Sequence, residues 1–306
     1  MVSRSEEKKR SARARVLLTG ANGFTGSYLR AELEDAGYAV IGAVVGAPMG
    51  MHEVALDITC LDNCRSVMEA VRPDYLVHLA AISFVHHGDA EAFYRVNVIG
   101  TLNLLQALSD AEVIPRRVLI ASSANVYGNA TSGVITESQP PQPVNHYAVS
   151  KLAMEHMART WEDRLPIVVT RPFNYTGIGQ ERHFLVPKIV SHFLLHAPVL
   201  ELGNLDIERD FSDVRMVARA YRGLLEHDCA GEVVNVCSGR PYSLRNILKM
   251  MEEIAGHGID VQINPAFIRQ SEVKVLVGSP AKLHALLGEP DVIPLEETLR
   301  WMYEFH

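Results

Sequence analysis

The sequence predicts an α/β protein: a Rossmann-type doubly wound parallel sheet carrying a smaller α/β substrate lobe. Three features of the 306 residues support this. An early apolar run ends in a glycine-rich turn that opens a helical pattern. Short apolar runs then alternate with stretches of helical length, the pattern of β-α units and a parallel sheet. Finally, residues suited to chemistry fall at the carboxyl ends of the apolar runs, where such a sheet binds its ligand.

In chain order, residues 15–19 read as the first strand, stopping at Gly20. Gly20-Ala-Asn22-Gly23-Phe24-Thr25-Gly26 then leads into a helical run from Ser27. Strand, glycine turn and helix N-terminus together receive a dinucleotide pyrophosphate on backbone N–H groups and the helix dipole. Glycines at this spacing also mark ordinary tight turns, so the position at the first strand-helix junction gives them their weight. Further strands are expected at 39–45, 54–58, 75–79, 117–122 and 167–171, with helices at 61–71, 92–110 and 147–162. Asp57, Leu79-Ala80-Ala81 and Ser123 fall at strand ends. A dinucleotide site of this type usually carries Asp or Glu for NAD, or Arg for NADP, about 20 residues past the glycines. Here the second strand ends Val44-Val45-Gly46, so the choice between NADH and NADPH stays open.

Tyr147-Ala-Val-Ser-Lys151 places a phenol and an ammonium four residues apart, side by side if helical. A neighbouring cation is expected to pull the phenol down from its usual pKa of about 10 towards the range useful for acid-base work. Ser123, at the mouth of the same cleft, would complete a proton-relay set. The plainer alternative is a surface Tyr-Lys pair.

After Arg171 the pattern changes to loops, an apolar stretch at 184–195, a returning strand at 233–237 and a helix at 244–254. The expected division is a disordered, solvated tail at 1–14, a dinucleotide-binding domain at 15–172 with 213–237, and a lobe at 173–212 with 238–306. A net charge of −7 argues against a nucleic-acid binder held by phosphate neutralisation. No apolar run approaches the roughly 20 residues of a membrane span. The charged N-terminus has no apolar signal core, so a cytoplasmic protein with reduced cysteines is expected. Cys60 and Cys64 read as helix-start residues rather than metal ligands.

Gly20 to Gly26, Leu79-Ala80-Ala81, Ser122-Ser123-Ala-Asn-Val-Tyr-Gly128 and Tyr147 to Lys151, in this order, resemble the extended short-chain dehydrogenase/reductases. The resemblance implies that Ser123 and Tyr147 hold the substrate oxygen, that Lys151 binds the nicotinamide ribose, and that Asp57 and Ile58 flank the adenine of NAD(P)H. A narrower resemblance, to the branch that handles GDP-sugars, rests on Arg171-Pro-Phe-Asn174, Leu202 to Asp213, Asn235 to Gly239 and Arg269 to Gly278. It implies a GDP-sugar substrate held by Ser83, Asn174, Lys188, Leu202, Asn204, Arg209, Arg269 and Glu272, guanidinium groups being suited to phosphate oxygens. The alternatives are a structural ion pair for Arg209-Asp210 and a solvated loop for Arg269 and Glu272. The family usually dimerises through the helices carrying Asn97 and Tyr147, implying a homodimer.

A dehydratase of this branch places its acid and base just after the catalytic hydroxyl residue, and here those positions are Ala124 and Asn125. Neither shuttles protons near neutral pH, which favours reduction of a C4 ketone, giving GDP-6-deoxy-D-mannose, over dehydration. A 4-epimerase with retained cofactor and a non-catalytic dinucleotide sensor are the competing expectations. His86-His87 reads as a loop pair and not a metal site. Asn97 suits either ordering of the cofactor strand ends or local backbone capping, and Leu102, Leu105 and Leu108 suit the core.

Overall fold

The computed structural model describes residues 13–83, 88–128, 133–267, 275–289 and 291–305. His86, His87, Arg269, Glu272 and all but the last two residues of the expected tail lie outside them.

β1 (Arg15–Thr19) passes through the glycine turn into α1 (Phe24–Asp35), followed by β2 (Ala39–Val44), β3 (Glu53–Ala55), α2 (Leu61–Val71) and β4 (Tyr75–His78). α3 (Ala90–Tyr94) and α4 (Thr101–Asp110) are joined through a π-helical stretch, Arg95–Gly100. Next come β5 (Arg117–Ala121), β6 (Val134–Ile135), α5 (His146–Arg159), β7 (Ile167–Pro172), β8 (Asn174–Thr176), α6 (Leu185–Leu194), β9 (Val199–Leu202) and β10 (Glu208–Asp213). The chain closes with α7 (Val214–Glu226), β11 (Val233–Val236), β12 (Pro241–Ser243), α8 (Leu244–Ala255), β13 (Asp260–Ile263), β14 (Val275–Gly278), α9 (Ala281–Leu287) and α10 (Leu295–Glu304).

Seven strands form one parallel sheet in the order β11-β7-β5-β4-β1-β2-β3. The order reverses between β1 and β4, so the crevice beyond Thr19 and His78, register partners there, is where such a sheet takes its ligand. Helices cover both faces, and strands buried on both sides read as near-continuous apolar runs: Val16, Leu17, Leu18 and Leu76 are fully buried. Leu105 and Leu108 lie in the core and Leu102 packs against it.

The third strand is shorter than expected. Leu56 still donates to Val44 O, but Asp57 N–H turns to Asn63 Oδ1 (2.7 Å) and Asp57 O accepts from Cys60. Asp57 and Ile58 therefore leave the ladder and form the turn into α2. Cys60 caps that helix without a side-chain bond.

The remaining strands build a second sheet, β12-β10-β14-β6 with β8 beside β10, and a β9-β13 pair. α6, α8 and α10 enclose a separate apolar core around Ile189, Phe193, Ile247 and Leu299. Thr25 Oγ1 and Tyr175 OH (2.7 Å), and Tyr28 OH donating to Ile178 O (2.7 Å), fasten α1 to this lobe.

Candidate active site

The glycine turn is shaped by exclusion. Gly20 adopts φ +69°, and a Cβ there would stand 2.9 Å from Ala80 N, while a Cβ on Gly26 would overlap Gly20 O. Only glycine lets β1, β4 and α1 approach this closely. Gly23 caps α1 in extended conformation and brings no side chain to its first-turn amides. Those amides and the positive helix end are a fit for a diphosphate. Phe24 stacks on Tyr175 at 6.0 Å, Thr25 bonds the same tyrosine, and Asn22 is exposed at the turn. At the end of β2, Val44 is buried and Val45 is 85% exposed, with no carboxylate at either position.

The strip Leu79-Ala80-Ala81 follows β4 beside Gly20. Thr19 Oγ1 accepts both the Leu79 and Ala80 N–H groups (3.1 Å each). With its lone pairs so used, its proton goes to His78 Nδ1 (2.8 Å). His78 must then carry its proton on Nε2, donating to Thr101 Oγ1 (2.8 Å), which donates to Asn97 O (2.7 Å). Burial and the Lys151 charge push the imidazole down to about 3, so it is neutral at working pH. Asn97, fully buried in the π-helical stretch, accepts from Ile82 N–H (2.9 Å) and donates to Ile82 O (3.2 Å) and Ser150 Oγ (3.0 Å). It thus orders the strand end as well as capping backbone groups, and Ser150 passes the connection to Tyr147 O (2.8 Å).

Ser123 lies two residues past β5 and caps the 3₁₀ turn Ala124–Tyr127; Tyr147 stands in the first turn of α5, whose own cap is Asn145 Oδ1 accepting from Ala148 N–H. The three residues Ser123, Tyr147 and Lys151 are buried together, which removes the alternative of a surface Tyr-Lys pair. The expected depression of the phenol by the lysine is not what the structure shows. Burial pushes Tyr147 up to about 12, opposed by a hydrogen bond with Ser123. Lys151 Nζ instead donates to Ala121 O (2.7 Å), and burial lowers it to about 8 against the pull of Glu155. At neutral pH the phenol is protonated and the lysine charged: a proton donor beside a cation.

On the lobe side, Asn174 Nδ2 donates to Asp210 O (3.2 Å), with Asn174 and Phe211 in register. Arg209, half-buried two residues along the same strand, donates to Glu208 O (2.8 Å). The Asp210 carboxylate accepts from Ser238 N–H, Ser238 Oγ and Gly239 N–H at 2.7–2.9 Å, anchoring the loop after β11. Lys188 Nζ bonds Glu201 O (2.7 Å) and lies 4.6 Å over the Phe267 ring. Leu202 is buried, its carbonyl accepting from Asn264, and Asn204 Oδ1 accepts from Asp206 N–H. Lys188, Leu202 and Asn204 thus gather at the β9 end, while Asn174 and Arg209 lie along β8 and β10. Ser83 is exposed just past the Leu79 strip.

Sequence reasoning missed the Thr19-His78-Thr101 chain and the buried pair of Glu155 with Arg171, whose Nε and Nη2 reach the two carboxylate oxygens at 3.0 and 2.6 Å. A pairing of polar residues inside otherwise apolar runs was the available signal.

A switch-point glycine cradle facing a buried Ser-Tyr-Lys set defines a short-chain dehydrogenase/reductase, an NAD(P)-dependent oxidoreductase. The chain belongs to the GDP-mannose 4,6-dehydratase family, whose model matches residues 17–302. It is 38% identical to GDP-6-deoxy-D-talose 4-dehydrogenase of Aggregatibacter actinomycetemcomitans over 90% of this chain and 91% of that one. It is 34% identical to GDP-6-deoxy-D-mannose reductase of Pseudomonas aeruginosa over 94% and 95%. A solved structure from Burkholderia cenocepacia J2315, described as a candidate epimerase, matches with TM-score 0.90 and 49% identity over 95% of this chain and 97% of that one. Other solved relatives hold NADPH or NAD.

Proposed function

We propose that this protein reduces the C4 ketone of GDP-4-keto-6-deoxy-D-mannose to GDP-6-deoxy-D-mannose. The observation that carries the reading is a buried, protonated Tyr147 beside Ser123, with Ala124 and Asn125 where dehydration would need an acid and a base. A nicotinamide dinucleotide held there would supply the hydride. The chain's own residues hold the acceptor: Ser123 donates to the ketone oxygen, Tyr147 delivers the proton, and Lys151 holds the nicotinamide ribose. Asp57, Ile58 and the glycine turn would hold the dinucleotide. Asn174, Lys188, Leu202, Asn204 and Arg209, with Ser83, Arg269 and Glu272, hold the GDP-sugar. Partly exposed Ile99 and Val149 support pairing of two copies through the helices that carry Asn97 and Tyr147.

The greater identity to the talose dehydrogenase favours a second reading, in which the same ketone receives hydride on the other face and yields the C4 epimer. The test is loss of reduced-nicotinamide absorbance with the purified protein, the keto-sugar, and NADH or NADPH in parallel, followed by NMR of the product's C4 configuration. Stoichiometric oxidation is expected. A folded protein that consumes no reduced cofactor refutes the reductase, and interconversion of GDP-sugars without net consumption establishes the epimerase instead.

A further inference from the structure

Ser123 does two jobs with one oxygen. As the cap of the 3₁₀ turn it accepts the Asn125 backbone N–H at 3.2 Å, and its Oγ also receives Asn125 Nδ2 at 3.1 Å. A hydroxyl has two acceptor lone pairs and one proton. With both lone pairs occupied from one side, the proton has only the Tyr147 side left to point into, where the reductase reading puts the reacting oxygen.

We propose that Asn125 is a positioning residue that fixes the polarity of Ser123, making the serine an obligate donor to the substrate oxygen. The residue type matters because the amide Nδ2 can donate, whereas a carboxylate at the same place can only accept. A carboxylate would capture the serine proton and turn the hydroxyl from a donor into an acceptor facing the oxygen on which negative charge builds. The same substitution of amide for acid that argues against dehydration therefore has a positive role in ketone reduction. This inference rests on Ser123 meeting the reacting oxygen, as the reductase reading has it.

The experiment compares wild type, Asn125→Asp and Asn125→Ala, each full-length with the keto-sugar and whichever of NADH or NADPH the wild type oxidises, across pH 5–9. Asn125→Asp should lose about 100-fold in kcat near neutral pH, the order of one lost oxyanion donor, with KM for the sugar little changed. Its activity should recover as pH falls through the titration of the introduced carboxyl group, which can donate again once protonated. Asn125→Ala, which keeps the backbone N–H but frees one lone pair, should lose about 10-fold or less with no new titration. An Asn125→Asp protein with wild-type kcat, or with a deficit that low pH does not relieve, overturns the proposal. Neutron diffraction of the deuterated wild-type protein reads the hydrogen directly and needs no turnover. Ser123 deuterium aimed at the cleft supports the assignment even if the wild type proves inactive on this sugar, which would refute only the reductase reading; deuterium aimed at Asn125 Oδ1 refutes the assignment.

Discussion

At the scale of single residues, the site is governed by burial. Lys151 is the clearest case: its ammonium is held from the ordinary 10.5 down to about 8 because the charged form is taken out of water. Between pH 8 and 10.5 the unfolded chain therefore binds more protons than the folded one, so this group's contribution to stability rises with pH over that window. It is fully present above 10.5 and lost as pH falls through 8, leaving a charged lysine buried at a cost at neutral pH. Lys151→Met should accordingly be inactive yet more stable than wild type at pH 7, by about 1–3 kcal/mol after subtracting the lost bond to Ala121 O. Urea unfolding at pH 7, 9 and 10 should show the advantage shrinking; a difference independent of pH would mean that burial of the charge is not its source. Ser123, Tyr147 and Lys151 were legible because helical spacing and strand ends are local properties. Thr19 and His78 were not, since 59 residues separate them and only the β1-β4 register brings them to 2.8 Å.

At the scale of elements, α5 is held to the sheet from both ends of its buried face. Its first turn carries Tyr147, and one turn beyond Lys151 the carboxylate of Glu155 grips Arg171 on β7, both side chains nearly inaccessible. Arg171 also lies 4.8 Å over the Tyr127 ring, so the pair ties α5 to β7 and to the turn that starts at Ser123. Glu155→Gln leaves the guanidinium buried without its counter-charge and should cost about 3–5 kcal/mol, whereas Glu155→Leu with Arg171→Met should cost far less. Chemical denaturation of the two variants checks this, and equal losses would show that packing rather than charge holds the helix. Long elements were readable: α2 begins and ends where its apolar periodicity does. The second sheet was not, because β6 has two residues and β8, β12 three each, too few for any period to register.

At the scale of the whole molecule, the two sheets are built from interleaved chain. β10 lies in the lobe sheet and runs directly into α7, which packs on the large sheet, while the Asp213 that joins them binds Arg215 and, at 2.8 Å, Thr298 of the last helix. Unfolding of either part pulls on the other, so a single thermal transition is expected. A ligand that binds only the folded chain stabilises it by about 2.7 kcal/mol at 100 times its Kd, or about 4 °C for a chain of this size. On the proposed reading, with the dinucleotide on the glycine turn and GDP on the lobe, NADH or NADPH and GDP should each supply such a shift through the same transition. Arg209 belongs to the lobe strand and not to the dinucleotide turn. Arg209→Ala should therefore abolish most of the GDP increment and leave the dinucleotide increment intact, as measured by differential scanning calorimetry with each ligand alone. If both increments fall together, the arginine holds the lobe's structure and does not grip phosphate; if the GDP increment survives, the nucleotide is held elsewhere on the lobe.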